Sequence, residues 1–306
     1  MRVVFCDPSC EPEPWLEALR RHLPQARVEA WADGVEPADY GVAWAPPQAF
    51  IDQQPRLKAL FNVGAGVDKL MRLRLSGHVP VVRLDDAGMA AQMAEYVCHA
   101  VIRHYREFAA YEAQAAQGAW VRRPARPRAQ FPVGVLGLGV LGSRVAQALR
   151  QFDFPVRGWS RSARSLEGVQ CFAGDAQMGD FLAHSRVLVC LLPLTDDTRD
   201  LLGRERLLQL PQGACLINVA RGEHVVDDDL LALLDDGHLS GATLDVFRTE
   251  PLPPEHVFWR HPKISVTPHV SAQTLREESI AQIAGKILAF ERGEPVAGMV
   301  DLQRGY

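Results

Sequence analysis

Three reactive residues stand just beyond apolar runs. Arg221 lies in Asn218-Val-Ala-Arg221-Gly222, Glu250 in Leu244-Asp245-Val-Phe-Arg-Thr-Glu250-Pro-Leu-Pro253, and His269 in Thr267-Pro-His269. An apolar run ending in a polar residue suits a buried parallel strand that delivers the residue to its carboxyl edge, where open α/β sheets bind ligands. A guanidinium holds carboxylates and polarises carbonyls, and an imidazole exchanges protons near neutral pH. A neighbouring carboxylate favours the charged ring. Singly, each has an ordinary reading: Arg221 as a surface ion pair, Glu250 as a turn acid before proline, His269 as a satisfied loop histidine. Together they form a candidate Arg/Glu/His set.

A second chemical feature comes earlier, in residues 131–145, FPVGVLGLGVLGSRV. An apolar strand leads into Gly137, Gly139 and Gly142, spaced G-x-G-x-x-G, and a helical apolar pattern follows from Val140 and Leu141. Gly137 permits a tight turn, Gly139 lets a pyrophosphate approach the backbone, and Gly142 lets the helix pack close to the strand. The helix N-terminus then faces the anion. In such units an acidic residue about 20 positions on binds the ribose 2'-hydroxyl. Here the second strand runs instead into Ser160-Arg161-Ser162-Ala163-Arg164. Hydroxyls and guanidinium groups hold a 2'-phosphate, which a carboxylate would repel. The expectation is NADP(H), preferred over NAD(H); the alternative is that Arg161 and Arg164 are merely solvated.

Two stretches of alternating strands and helices must position these groups. The first has strands expected at residues 3–5, 27–30, 41–44, 59–62 and 81–83, with segments at 14–22 and 54–58 that read as helical or helix-flanking. Within it Asn62-Val-Gly64-Ala65-Gly66-Val-Asp68 reads either as an anion-binding nest of backbone N–H groups or as a plain turn. Trp44 reads as core or as a pocket wall. Residues 86–118 favour one long helix, broken at most once, and the Arg- and Pro-rich 120–132 an exposed connection or subunit contact. The second stretch has strands expected at 133–136, 156–159, 187–192, 214–219, 241–245 and 264–267, with helices at 142–150 and 227–236 and a turn near 179–183. That alternation predicts a doubly wound parallel sheet. Thr274-Leu-Arg-Glu277 has the capping-box pattern for a last helix that presents Ile280, Ile283 and Ile287 on one face.

The composition fits a soluble globular enzyme. The 306 residues are 47% hydrophobic and 23% charged, with a formal net charge of −4, which gives no sign of nucleic-acid binding. No apolar run is long enough to span a membrane, and the first residues read as a strand, not a signal peptide. The six cysteines contain no CxxC pair, so the expectation is buried thiols in a reducing, cytoplasmic setting and no metal site.

The motifs together resemble the D-isomer-specific 2-hydroxyacid dehydrogenase family, and within it the A-type glyoxylate/hydroxypyruvate reductases. The residues that carry this are Gly64-Ala-Gly-Val-Asp68, the glycine turn with Trp159-Ser-Arg161, Leu191-Leu-Pro193-Leu-Thr195-x-x-Thr198, Asn218-x-Ala-Arg221-Gly222, Leu244-Asp-Val-Phe247, Glu250-Pro-Leu-Pro253 and Thr267-Pro-His269-Val. The departure from the wider family is the basic end of the second strand.

The resemblance implies an α/β fold of two Rossmann-like domains. Residues 1–98 plus 273–306 form a smaller, flavodoxin-like substrate (catalytic) domain, and 99–272 form the NADP-binding domain. It also implies NADPH-dependent reduction of small 2-oxo acids to (R)-2-hydroxy acids. Arg221 would bridge the substrate carboxylate and carbonyl, and His269 would donate the proton. Glu250 would pair with His269 and raise its pKa. Ala65 and Gly66 would offer N–H groups to the carboxylate, with Trp44 lining the pocket. Leu192, Pro193, Thr198, Val219 and Ala220 would border the cofactor, and Asp245 would take its carboxamide. The imidazolium and guanidinium supply the electrophile, so no metal is expected. Homodimers are common in the family. The rivals are a reductase of bulkier 2-oxo acids and a non-catalytic NADP(H)-binding regulator.

Overall fold

The structure, a computed structural model, describes residues 1–75 and 77–306. Its strands in chain order are β1 (Arg2–Cys6), β2 (Arg27–Ala30), β3 (Tyr40–Ala43), β4 (Ala59–Asn62), β5 (Val81–Val82) and β6 (Val133–Leu136). They continue with β7 (Val156–Ser160), β8 (Gln170–Ala173), β9 (Val187–Cys190), β10 (Ala214–Asn218), β11 (Leu239–Leu244) and β12 (Ile264–Val266). The α-helices are α1 (Glu13–His22), α2 (Gln48–Asp52), α3 (Met89–Tyr105), α4 (Phe108–Ala116) and α5 (Val140–Gln151). After them come α6 (Met178–Ala183), α7 (Arg204–Leu207), α8 (Asp227–Asp235) and α9 (Arg276–Glu291). No helix among the described residues is long and apolar enough to cross a membrane.

Contacts divide the chain into two compact units, Met1–Met89 with Thr274–Tyr306, and Ala90–Gln273. The first holds a parallel sheet in the order β2-β1-β3-β4-β5. Apart from the edge strand β2, its strands are short, mainly apolar runs buried on both faces, as parallel strands covered by helices must be. Val4, Phe50 and Leu60 lie in one core cluster. From α9, Ile280, Ile283 and Ile287 are buried, and Tyr40 donates to the Glu291 carboxylate at 2.5 Å.

The second unit holds a seven-stranded parallel sheet in the order β12-β11-β10-β9-β6-β7-β8. Chain order reverses between β6 and β9, and a doubly wound sheet offers a crevice beyond its carboxyl edge at that point. Residues 90–101 of α3 pack here: Met93, Val97 and Val101 share a core with Val133, Val135 and Val145. The contact boundary therefore falls at the start of α3, whereas the sequence division at 98/99 falls inside it.

Two local details differ from the sequence expectation, the Thr274 cap and strand β8, and two others settle open readings. Residues 54–58 flank a helix, α2, which lies just before them. Pro55 disfavours helical backbone at Gln54, and the buried Gln54 side chain instead accepts the Ala38 N–H at 2.7 Å. The capping box at Thr274 does not form. Leu275 is the N-cap, and Glu277 pairs with Arg21 of α1 at 2.8 Å. The helical stretch of residues 86–118 has the single break allowed for it, where Glu107 turns left-handed (φ 55°) and its carboxylate meets Arg123 at 2.7 Å. Strand β8, only partly buried and with Gln170 exposed, carries too weak an apolar signal to read from sequence.

Candidate active site

Three adjacent strands deliver the candidate acid–base groups, all within the second unit. β10 ends at Asn218 and leads to Arg221; β11 ends at Leu244 and leads through Asp245 to Glu250; β12 ends at Val266 and leads to His269. His269 Nδ1 lies 2.8 Å from Glu250 Oε2. The other oxygen, Oε1, accepts the Phe247 N–H at 3.0 Å. Burial raises the Glu250 pKa. The bonds from His269 and Phe247 and the charges of His269 and Arg221 outweigh it, so the carboxyl titrates below its usual range. Glu250 is thus ionised at neutral pH, and its grip on Nδ1 leaves Nε2 as the nitrogen open to another partner.

His269 adopts left-handed backbone (φ 55°), which a non-glycine residue holds only when its surroundings fix it. Here they do. The His269 N–H donates to the Asp245 carbonyl at 2.9 Å. The fully buried Asp245 carboxylate accepts from Thr267 Oγ1 at 2.6 Å, Val270 N at 2.9 Å and Ser271 N at 2.8 Å. Tyr96 of α3 reaches the same Thr267 hydroxyl at 2.5 Å. Burial pushes the Tyr96 phenol up to about 12, so it stays protonated and able to donate.

Arg221 is set by a different device. Asn218 Nδ2 donates to the Arg221 carbonyl at 2.9 Å, and the Arg221 N–H lies 3.2 Å from Nδ1 of the buried His224. Nη1 also donates to the Ala220 carbonyl at 2.6 Å. The next residue must be glycine: a Cβ at Gly222 would collide with the Phe247–Arg248 backbone. That close approach brings the Arg221 turn against the segment that leads to Glu250.

The glycine turn connects β6 to α5. A Cβ at Gly142 would collide with the Gly137 carbonyl, whereas among the described residues nothing lies within 4 Å of one at Gly139. Gly139 is the N-cap of α5 and brings no side-chain cap, which leaves the exposed first turn at Val140 to an external anion. These residues therefore fit a dinucleotide pyrophosphate. Beyond β7, Arg161, Ser162 and Arg164 are exposed. Ser160 turns inward, and its hydroxyl donates to the Ser162 carbonyl at 2.8 Å, shaping the loop. Thr198 likewise bonds within its own loop, to the Pro193 carbonyl at 2.7 Å, and Leu192, Val219 and Ala220 are buried just past the β9 and β10 ends.

Trp44, Ala65 and Gly66 lie in the first unit and form their own cluster. The Trp44 ring packs over Gly64, and Lys69 Nζ stands 5.2 Å from the ring centroid. Buried Asn62 donates to the Gly64 and Gly66 carbonyls at 2.8 and 2.9 Å. With those carbonyls turned inward, the Ala65 and Gly66 amides donate to nothing among the described residues. That is the state an anion-receiving nest requires.

Sequence reasoning missed His224 and Tyr96. His224 stands three residues after Arg221, close enough for a turn to fold it back. Tyr96 falls in helical register beside Met93 and Val97, on the face that packs against the sheet.

A dinucleotide turn at the switch point of a doubly wound sheet, with a hydrogen-bonded His/Glu pair and an Arg at neighbouring strand ends, defines a nicotinamide-dependent oxidoreductase. Residues 98–271 match the family model described as D-isomer specific 2-hydroxyacid dehydrogenase, NAD binding domain. The chain is 46% identical over 315 residues to the glyoxylate/hydroxypyruvate reductase A of Serratia proteamaculans (strain 568), with 100% of both chains covered. It superposes at TM-score 0.95 and 41% identity on a D-isomer specific 2-hydroxyacid dehydrogenase from Xanthobacter autotrophicus Py2 in complex with NADPH and MES, covering 100% and 99% of the two chains. The NADPH-dependent glyoxylate/hydroxypyruvate reductase of Sinorhizobium meliloti, in complex with NADP and sulfate, matches at TM-score 0.93 and 36% identity, over 100% of this chain and 99% of that one. The chain belongs to the D-isomer specific 2-hydroxyacid dehydrogenase family.

Proposed function

We propose that this protein uses NADPH to reduce small 2-oxo acids, glyoxylate and hydroxypyruvate, to the corresponding (R)-2-hydroxy acids, glyoxylate giving the achiral glycolate. The observation that carries the proposal is the ionised Glu250 bound to His269 Nδ1 at 2.8 Å, at the same sheet edge as Arg221. Relatives whose names give this activity match over the full chain.

Arg221 holds the substrate carboxylate and draws charge from the carbonyl oxygen. His269 Nε2 gives a proton to that oxygen as it becomes an alkoxide. Glu250 aligns the imidazole and stabilises the cation that carries the proton. The Ala65 and Gly66 amides receive a carboxylate oxygen, and Trp44 walls the substrate side. Gly137, Gly139, Val140, Leu141 and Gly142 hold the pyrophosphate; Ser160, Arg161, Ser162 and Arg164 form the 2'-phosphate loop. Leu192, Pro193, Thr198, Val219, Ala220 and Asp245 border the nicotinamide side, Asp245 by supporting the loop around it. The bound reduced nicotinamide supplies the hydride.

A panel of 2-oxo acids assayed with NADPH and NADH side by side tests this. Highest kcat/KM for glyoxylate or hydroxypyruvate with NADPH supports the proposal. Preference for a bulky 2-oxo acid, or for NADH, contradicts it.

We further infer a homodimer in a reducing, cytoplasmic setting. No residue of α4 is buried, Trp120 is 92% exposed, and all six cysteines are free thiols. Light scattering should give twice the chain mass; a monomer at micromolar concentration would contradict pairing.

A further inference from the structure

We propose that His224 is a positioning residue whose two ring nitrogens fix Arg221 on the substrate side and the Pro193 loop on the cofactor side; this rests on the function proposed above. His224 is fully buried, at 0% exposure. It closes the short turn Gly222–His224 directly after Arg221. Its Nδ1 lies 3.2 Å from the Arg221 amide nitrogen, and its Nε2 lies 3.3 Å from the Pro193 carbonyl oxygen.

One neutral tautomer serves both neighbours. With the proton on Nε2, the ring donates to Pro193 while Nδ1 accepts the Arg221 N–H. The other tautomer would donate from Nδ1 to the Arg221 carbonyl, 3.0 Å away. It would then set Nδ1–H against the Arg221 N–H, two donors facing each other, and turn the Nε2 lone pair onto a carbonyl oxygen. The Arg221 carbonyl is moreover already bonded by Asn218 Nδ2 at 2.9 Å. Buried polar groups that face like groups are costly, so the Nε2–H form prevails. Burial keeps the ring neutral, holding its pKa below the usual histidine range although the two carbonyls it meets favour the cation.

Two buried side chains thus clamp the Arg221 backbone, His224 at the N–H and Asn218 at the carbonyl. A small rotation of that backbone would swing the guanidinium at the end of its long side chain away from the substrate. Small misplacements of this kind are expensive in catalysis. The same ring shares the Pro193 carbonyl with Thr198 Oγ1, so it also anchors the 193–198 loop.

The two ends of the ring can be separated. His224→Asn keeps an acceptor near the Nδ1 position and loses the donor to Pro193. His224→Gln carries an amide to the Nε2 position and loses the acceptor for Arg221. With H224N, the NADPH dissociation constant, read by fluorescence titration, should weaken about tenfold while the glyoxylate KM stays within about threefold of wild type. With H224Q, the glyoxylate KM should rise about tenfold while NADPH binding stays near wild type. Equal shifts of both constants in both variants, or no shift in either, would show that the ring only fills space. If one variant does not fold, the other decides by the same criterion. The NADPH titration needs no turnover, so a wild-type protein inactive on glyoxylate would count against the proposed function and leave the Pro193 arm of the test intact.

Discussion

At the residue scale the account turns on charge placed at strand ends. Glu250 stays ionised because the bonds and charges around it outweigh its partial burial, and it meets His269 at 2.8 Å. Arg161 and Arg164 stand exposed beyond β7, where a carboxylate would otherwise select the unphosphorylated ribose. Arg161→Asp should therefore weaken NADPH binding by roughly 10- to 100-fold and NADH binding far less, since one charge-assisted bond is replaced by repulsion. Equal losses for the two cofactors in parallel titrations would remove Arg161 from the 2'-phosphate loop. Arg221, Glu250 and His269 were legible in the sequence because each follows an apolar run and has a side chain with few ordinary uses there. His224 was not, because a buried histidine takes its meaning from two backbone groups, one of them 31 positions away in the chain.

At the element scale, α3 is joined to the catalytic edge by side chains as well as by packing. Tyr96 reaches Thr267, and His104 Nε2 lies 3.2 Å from Thr243 Oγ1 on β11. Burial, helped by the charge of Arg103, lowers the His104 pKa from 6.5 to about 4. A depressed histidine pKa means that the unfolded chain binds this proton first. Stability is complete above pH 6.5 and is lost as the pH falls toward about 4. Each such proton contributes a slope of about 1.4 kcal/mol per pH unit. Urea unfolding at pH 7 and pH 5 should show this loss in the wild type and a smaller one in His104→Gln; identical pH dependence would contradict it. The strands were readable because parallel strands buried on both faces are continuous apolar runs, as in VGVL and VLVC. Helix ends were less so. The Thr274 pattern lost its acid to Arg21 on α1, a tertiary pairing that local sequence does not encode.

At the scale of the whole molecule, two parallel sheets hold different parts of the proposed site. The second unit holds the glycine turn, the basic loop after β7 and the Arg/Glu/His set, all beyond the carboxyl ends of one sheet. The first holds the Asn62-braced loop, whose Ala65 and Gly66 amides donate to nothing among the described residues. The presence of two units was visible in the two runs of strand–helix alternation, whereas the boundary at α3 depended on which core that helix enters. The most direct test of the central claim compares NADPH oxidation by the wild type and by His269→Ala with glyoxylate, with NADPH binding measured on both. The account predicts rapid oxidation by the wild type and a loss of about 100-fold or more in the variant, with binding unchanged. Near-normal turnover in His269→Ala would contradict it.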